Sequence, residues 1–255
     1  MIDKTAFTWP QNCRGAISLT YDDALPCHWQ LVAPALEAQG LRGTFYANIL
    51  SAAAAPEDWR RVAARGHELG NHSIFHPCQK NPQRPRPWLP DEYDLQGYTP
   101  RRWSDEMRVA NFTLSLIDGR SERSFGNTCC HTEIGTGDTL TSLDPLIAEL
   151  CVAGRGPYSR QIVDLGTINY QALGHCGADG RAFDELRPEI DRAMAEGGWI
   201  IYMIHGVGEG THSSYMDPDE HQRLVEYLGA NRADIWTAPL VEVAQYLQAR
   251  DSDWI

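Results

Sequence analysis

Three features of the sequence predict an α/β protein with a parallel sheet, in a single domain of barrel size. Strand-like apolar runs alternate with segments of helical spacing from Ala16 onward, the order that builds parallel sheets. The run Trp199-Ile200-Ile201-Tyr202-Met203-Ile204 is almost continuously apolar, as a strand covered on both faces must be. The chain has 255 residues, a length that single α/β barrels commonly reach, and no Gly/Ser or Pro linker and no internal repeat divides it. One domain spanning 1–255 is expected.

The elements follow in order. Residues 16–20 read as a buried strand broken by two adjacent carboxylates, Asp22 and Asp23. Residues 31–39 have helical spacing and stop at Gly40. Residues 43–47, rich in strand formers, make the next strand, and 58–65 a helix closed by Gly66. Residues 67–71 are a weak strand leading to His72 and His76; Pro77 disfavours helix at His76, so this histidine pair belongs on a turn. The stretch 77–100 is crowded with proline and polar residues but holds Trp88, Tyr93 and Tyr98, which marks it as an inserted substrate-side loop. A helix over 104–117, a short strand at 124–127, a helix over 140–150, a fragment at 151–153 and a strand at 161–165 continue the alternation. A helix over 183–195 precedes the strand 199–204, which delivers His205. A helix over 218–228, a strand at 234–236 and a last helix over 239–248 close the chain.

Composition excludes some functions. A formal net charge of -12 argues against nucleic acid or an anionic membrane surface as partner and suits a neutral or cationic substrate. No apolar run is long enough to span a bilayer. The first twelve residues lack a basic start followed by an apolar core, which reads as cytoplasmic as the sequence stands, or as secreted or cell-envelope if a leader has been removed. Seven cysteines show no regular framework, and Cys78, Cys129 and Cys130 read as ordinary thiols, since no paired C-x-x-C supports a structural zinc.

Three expected strand ends carry polar payloads: Asp22-Asp23, the pair His72 and His76 four residues apart, and His205. A core excludes adjacent carboxylates unless they are paired or bound to a metal. One carboxylate and two imidazoles on a divalent ion leave positions open for water and substrate, the arrangement of a catalytic metal. An acidic residue beside it and an imidazole opposite are chemically able to move protons.

These stretches resemble the motifs of the polysaccharide deacetylase family, the carbohydrate esterases of family 4 that share the NodB homology domain. Thr20-Tyr21-Asp22-Asp23-Ala24 is similar to the family's Thr-Phe-Asp-Asp-Gly, His72-Ser73-Ile74-Phe75-His76 matches His-Ser/Thr-x-x-His, and Met203-Ile204-His205 is similar to Leu-x-His. The resemblance implies a distorted, incompletely closed (β/α) barrel of about seven parallel strands. It implies Asp22 as catalytic base, Asp23, His72 and His76 as metal ligands and His205 as catalytic acid. A divalent metal is implied, Zn2+ by default for imidazole and carboxylate, with Co2+, Ni2+, Mn2+ or Fe2+ able to occupy the same ligands.

Two family features are missing. The arginine that supports the base is absent around Phe125-Gly126-Asn127-Thr128-Cys129, leaving Arg123 nearby or Arg155 from another strand as replacements. The Asp and Trp pair that orients the acid is not recognisable between Ile162 and Phe183, leaving Asp164, Asp179 or Asp184. Trp88, Tyr98 and Arg155 are candidate substrate contacts, with Tyr93 and Trp103 as further stacking aromatics; His212 reads as a loop histidine.

The leading expectation is a metal-dependent hydrolase removing acetyl groups from an N- or O-acetylated oligo- or polysaccharide. Two alternatives stand beside it: hydrolysis of a small cyclic or acylated amide, and a catalytically impaired carbohydrate-binding homologue.

Overall fold

The computed structural model describes residues 7–83 and 85–252. Seven parallel strands form a ring: β1 (Gly15–Asp22), β2 (Thr44–Ala47), β3 (Glu68–Asn71), β4 (Phe125–Gly126), β5 (Gly154–Tyr158), β6 (Leu173–Gly177) and β7 (Trp199–Ile204). The ring closes where β7 pairs with β1 from Ala16↔Trp199 to Tyr21↔Ile204. The opening implied by the resemblance is therefore a thin seam and not a gap: β3 and β4 meet at one residue pair, Asn71↔Phe125. An eighth strand, β8 (Ile235–Thr237), pairs with the start of β1, whose end pairs with β2.

Around the ring lie α1 (Ala33–Ala38), α2 (Pro56–Ala64), α3 (Pro100–Asp118), α4 (Asp144–Leu150), α5 (Phe183–Glu196), α6 (Pro218–Ala230) and α7 (Leu240–Ser252). Period-2 alternation sorts the strand side chains. Ile17, Leu19 and Tyr21 of β1 and Ile200, Tyr202 and Ile204 of β7 join the core packed against the helices, while Ala16, Trp199 and Ile201 belong to a second cluster with Tyr46. A third cluster, built on Trp103, Phe125 and Ile147, seals the helices beside the seam. At the strands' N-terminal end the buried Glu68 carboxylate accepts from Thr44 Oγ1, Val241 N and both donors of Ser124, so it is fully hydrogen-bonded without an ion.

Three expectations change. The expected strand over 161–165 is a loop touching the barrel through one antiparallel bridge, Val163↔Trp199. The real β5 begins one residue after the expected fragment and β6 was not foreseen, because both are glycine-rich. Gly154 sits where a Cβ would come within 2.4 Å of the Gln171 carbonyl, so close packing with the loop that leads into β6 selects a residue of low strand propensity. Finally, Cys78 and Cys129, expected as ordinary thiols, form a disulfide. Among the described residues no helix is long and apolar enough to cross a membrane.

Candidate active site

The C-terminal ends of β1, β3 and β7 converge on one mouth of the barrel. Asp22 ends β1 with its side chain toward the interior, and the chain then turns sharply through Asp23 and Ala24, both left-handed at φ 80° and 53°. Asp tolerates that region better than most residues, and the turn is tied by Asp23 N donating to Tyr46 O at 3.1 Å.

His72 follows β3 directly. Its neighbour Ser73 (φ 69°) donates its backbone N–H to Asn71 Oδ1, and Ser73 Oγ accepts from His76 N at 2.9 Å, with His76 itself at φ 52°. The histidine pair thus sits on a tight non-helical turn, as the proline after it predicts.

The side chains gather as a compact group. Asp23 Oδ1 lies 3.3 Å from His76 Nε2 and 3.6 Å from His72 Nε2, and the three donor atoms all fall within 4.8 Å of one another. His72 Nδ1–H donates to the Gly126 carbonyl at 2.7 Å, so the neutral ring keeps its Nε2 lone pair toward the group. Burial, with the neighbouring His72, pushes the His76 imidazole down to about 4, so that ring is neutral near pH 7. A second cluster of donor atoms, His76, Cys78 and Cys129, is closed off by the disulfide.

Behind this group Asp22 is 3% exposed and is gripped by Arg155 through two hydrogen bonds of 2.7 and 2.6 Å, while the same guanidinium reaches Thr20 Oγ1 at 2.8 Å. Burial opposes the Asp22 charge, but Arg155, then His72, overcome it and hold the carboxyl well below the usual range. On the opposite wall His205 Nδ1–H donates to Asp179 Oδ2 at 2.6 Å, and its backbone N–H to Asp179 Oδ1 at 2.9 Å. Burial alone would favour neutral His205, yet the Asp179 hydrogen bond, then Asp22, raise its pKa to about 9. The mouth therefore holds a buried anion on one side and a protonated imidazole on the other.

These groups line a cleft of about 280 Å³, walled by Arg86 and Trp88 on one side and by Met203 and His212 on the other. A wider hollow of about 620 Å³, lined by Asp179, Arg181, Tyr215 and Glu220, shares Ser213 with the cleft.

The model of the polysaccharide deacetylase family matches residues 10–126. Over those residues the chain is similar to the polysaccharide deacetylase family. A Bacillus sp. gellan lyase is 22% identical over 275 residues, taking in 98% of this chain, which spans about 10% of that relative's length. A putative polysaccharide deacetylase from Mycobacterium smegmatis superposes with a TM-score of 0.61 at 14% identity, over 96% of this chain and 94% of that one. PuuE allantoinase superposes equally well, at TM-score 0.61 and 16% identity, over 94% and 92%. At these identities the likeness of the structures is one of fold.

Within this barrel, Asp22, Asp23, His72, His76 and His205 all reach the cleft, and so does Trp88, which is 56% exposed. Four sequence candidates for substrate contact do not: Tyr98, Arg155, the buried Trp103, and Tyr93, whose ring stacks on Phe75. Tyr98 is 2% exposed and packs with Trp103, its hydroxyl donating to Glu106, because the second half of the inserted loop folds into the satellite core. Arg155 is 1% exposed and stands behind Asp22, where the sequence had offered it as the replacement arginine; Arg123 instead pairs with Asp118. Of the three carboxylates offered as partner to His205, Asp179 is the one in contact, while Asp184 pairs with Arg223 and Asp164 accepts from Gly166 N. Asn127 and Cys130 line the cleft without having been singled out for it, and so does His212, which had been read as a loop histidine. For the first two, their place just after β4 was the available signal.

Proposed function

We propose that the protein is a divalent-metal-dependent hydrolase that removes acetyl groups from an N- or O-acetylated carbohydrate. The observation that carries the reading is the single cleft in which Asp23, His72 and His76 face one another between the Asp22–Arg155 pair and the His205–Asp179 pair. The donor set fits the ion: one carboxylate oxygen and two imidazole nitrogens with free lone pairs are ligands zinc and its divalent neighbours accept. A cation held there polarises an acyl carbonyl and acidifies water.

The remaining chemistry belongs to the chain. Asp22, kept ionised by Arg155 against its burial, is free to accept the proton of the attacking water. His205 carries a proton on Nε2 through neutral pH and gives it to the departing amine or alkoxide, while Asp179 holds the ring by Nδ1. Trp88 offers a sugar-sized apolar face at the rim, and the adjoining hollow beyond Ser213 suits a substrate longer than the cleft.

Acetate release from chitooligosaccharides and acetylated xylan, with chelated protein and with zinc restored, tests this. Metal-dependent release lost in both Asp22→Asn and His205→Ala is the expected result. The small-amide reading, favoured by the fold shared with PuuE allantoinase, takes its place if cyclic amides are hydrolysed and no sugar releases acetate.

A further inference from the structure

His212 has no part in the chemistry above, yet the loop after β7 is built to bring it to the cleft. A two-residue parallel ribbon, Gly206–Val207 with Tyr215–Met216, folds that loop back on itself. Glycine is required at its start: a Cβ on Gly206 would lie 2.3 Å from Thr211 Oγ1 and 3.1 Å from His212 Cβ. The fold stacks the His212 ring on His205, with centroids 4.9 Å apart and planes 8° from parallel.

The Ser214 backbone and Asp23 together bear on where His212 carries its hydrogen. The backbone N–H of Ser214, which can only donate, lies 3.0 Å from Nδ1. A neutral ring that accepts there is protonated on Nε2, whereas one that donates Nδ1–H to the Ser214 carbonyl leaves a lone pair on Nε2. A charged ring would turn Nδ1–H to the Ser214 carbonyl, also 3.0 Å away, and Nε2 would still hold a hydrogen. The carboxylate facing Nε2 selects a state with a hydrogen there, in which Nε2 is a donor with no lone pair to give a metal. It faces Asp23 Oδ2 at 3.7 Å, whereas the other oxygen, Oδ1, faces His76 and His72. The two oxygens of one carboxylate are thereby addressed by different partners.

We propose that His212 is a positioning residue for Asp23, its Nε2–H holding Oδ2 so that Oδ1 is presented to the cation shared with His72 and His76. The inference rests on the metal-dependent reading above. Closing the gap to the ~2.9 Å of an N–H···O bond needs a side-chain movement of about 0.8 Å. Outer partners of this kind set a ligand's orientation and basicity, and losing one typically weakens metal binding about 10- to 100-fold.

The test is calorimetric titration of Zn2+ into the metal-free full chain, beside thermal unfolding without metal. His212→Phe keeps a ring to stack on His205 and removes the donor; His212→Gln restores a donor at the matching atom; Asp23→Ala sets the scale of full ligand loss. The expected result is about 10- to 100-fold weaker zinc binding in His212→Phe, binding within a few-fold of wild type in His212→Gln, and unchanged metal-free unfolding in both. Wild-type affinity in His212→Phe, or equal loss in the Phe and Gln variants, overturns the proposal while leaving the metal site standing. Undiminished binding in Asp23→Ala overturns the metal reading itself, and the proposal with it.

Discussion

Arg155→Met would remove the guanidinium that grips both oxygens of Asp22 and leave a carboxylate 3% exposed without that partner. Breaking a buried pair from one side costs about 3–5 kcal/mol, a large fraction of the ~5–15 kcal/mol by which domains are stable. The group has one escape, which is to take up a proton. In the wild type the folded pKa of Asp22 is depressed, so its contribution to stability is present above the unfolded value of ~3.9 and is lost as pH falls through the folded one. In the variant burial prevails and the folded pKa rises above the unfolded one, so the sign reverses: the deficit is smallest at low pH and grows as pH rises. Urea unfolding at pH 5 and pH 7 reads this directly, with the Asp22→Asn/Arg155→Met double variant as the control that removes both charges and recovers much of the loss. Acetate release by the single variant should fall about 10²- to 10⁴-fold at pH 7, the usual worth of a general base. A deficit under about 1 kcal/mol with an unchanged pH dependence would refute the argument, because it would mean that Asp22 never depended on Arg155 for its charge.

Asp179→Asn should move the basic limb of kcat/KM downward from its wild-type position toward the ordinary imidazole value of ~6.5. His205 is raised to about 9 against its burial by Asp179 and then Asp22, and a cation bound nearby disfavours the imidazolium, so about 9 is the upper bound for the loaded protein. Because the folded value is raised, the stability this pair supplies is present below ~6.5 and lost as pH rises through about 9; unfolding of the variant against wild type should show its deficit at pH 6 and not at pH 10. Cys78→Ser/Cys129→Ser opens a cross-link spanning 51 residues and should cost about 2–4 kcal/mol in chemical unfolding. It should also weaken zinc binding, since Cys78 follows the His76 turn and Cys129 the end of β4. Trp88→Ala, at an exposed rim position, is expected to raise KM for oligosaccharides several-fold with kcat unchanged; an equal fall in kcat would show that the ring acts on the reacting group.

The sequence by itself determined those parts of the molecule in which local chemistry leaves little choice. The apolar run 199–204 has to be a strand covered on both faces, Pro77 keeps the His72–His76 turn from becoming a helix, and carboxylates or imidazoles directly after strands have to lie at the barrel's C-terminal mouth. Only the tertiary structure decided what stands behind those groups. Arg155 and Asp22 are 133 residues apart in the chain, and Asp179 and His205 are 26 apart; neither pairing has a period or a local motif, because partners on different strands are set by ring order and register. The strands that carry this information are the ones propensity hides. β5 and β6 are short and glycine-rich, held in the ring by neighbouring backbone and by burial, so a reading of residue preferences passes over them. The same holds for Tyr98 and His212. An aromatic in a polar loop and a histidine among glycines look alike as candidates, and it took the satellite core to bury the one and the Gly206 ribbon to stack the other on His205.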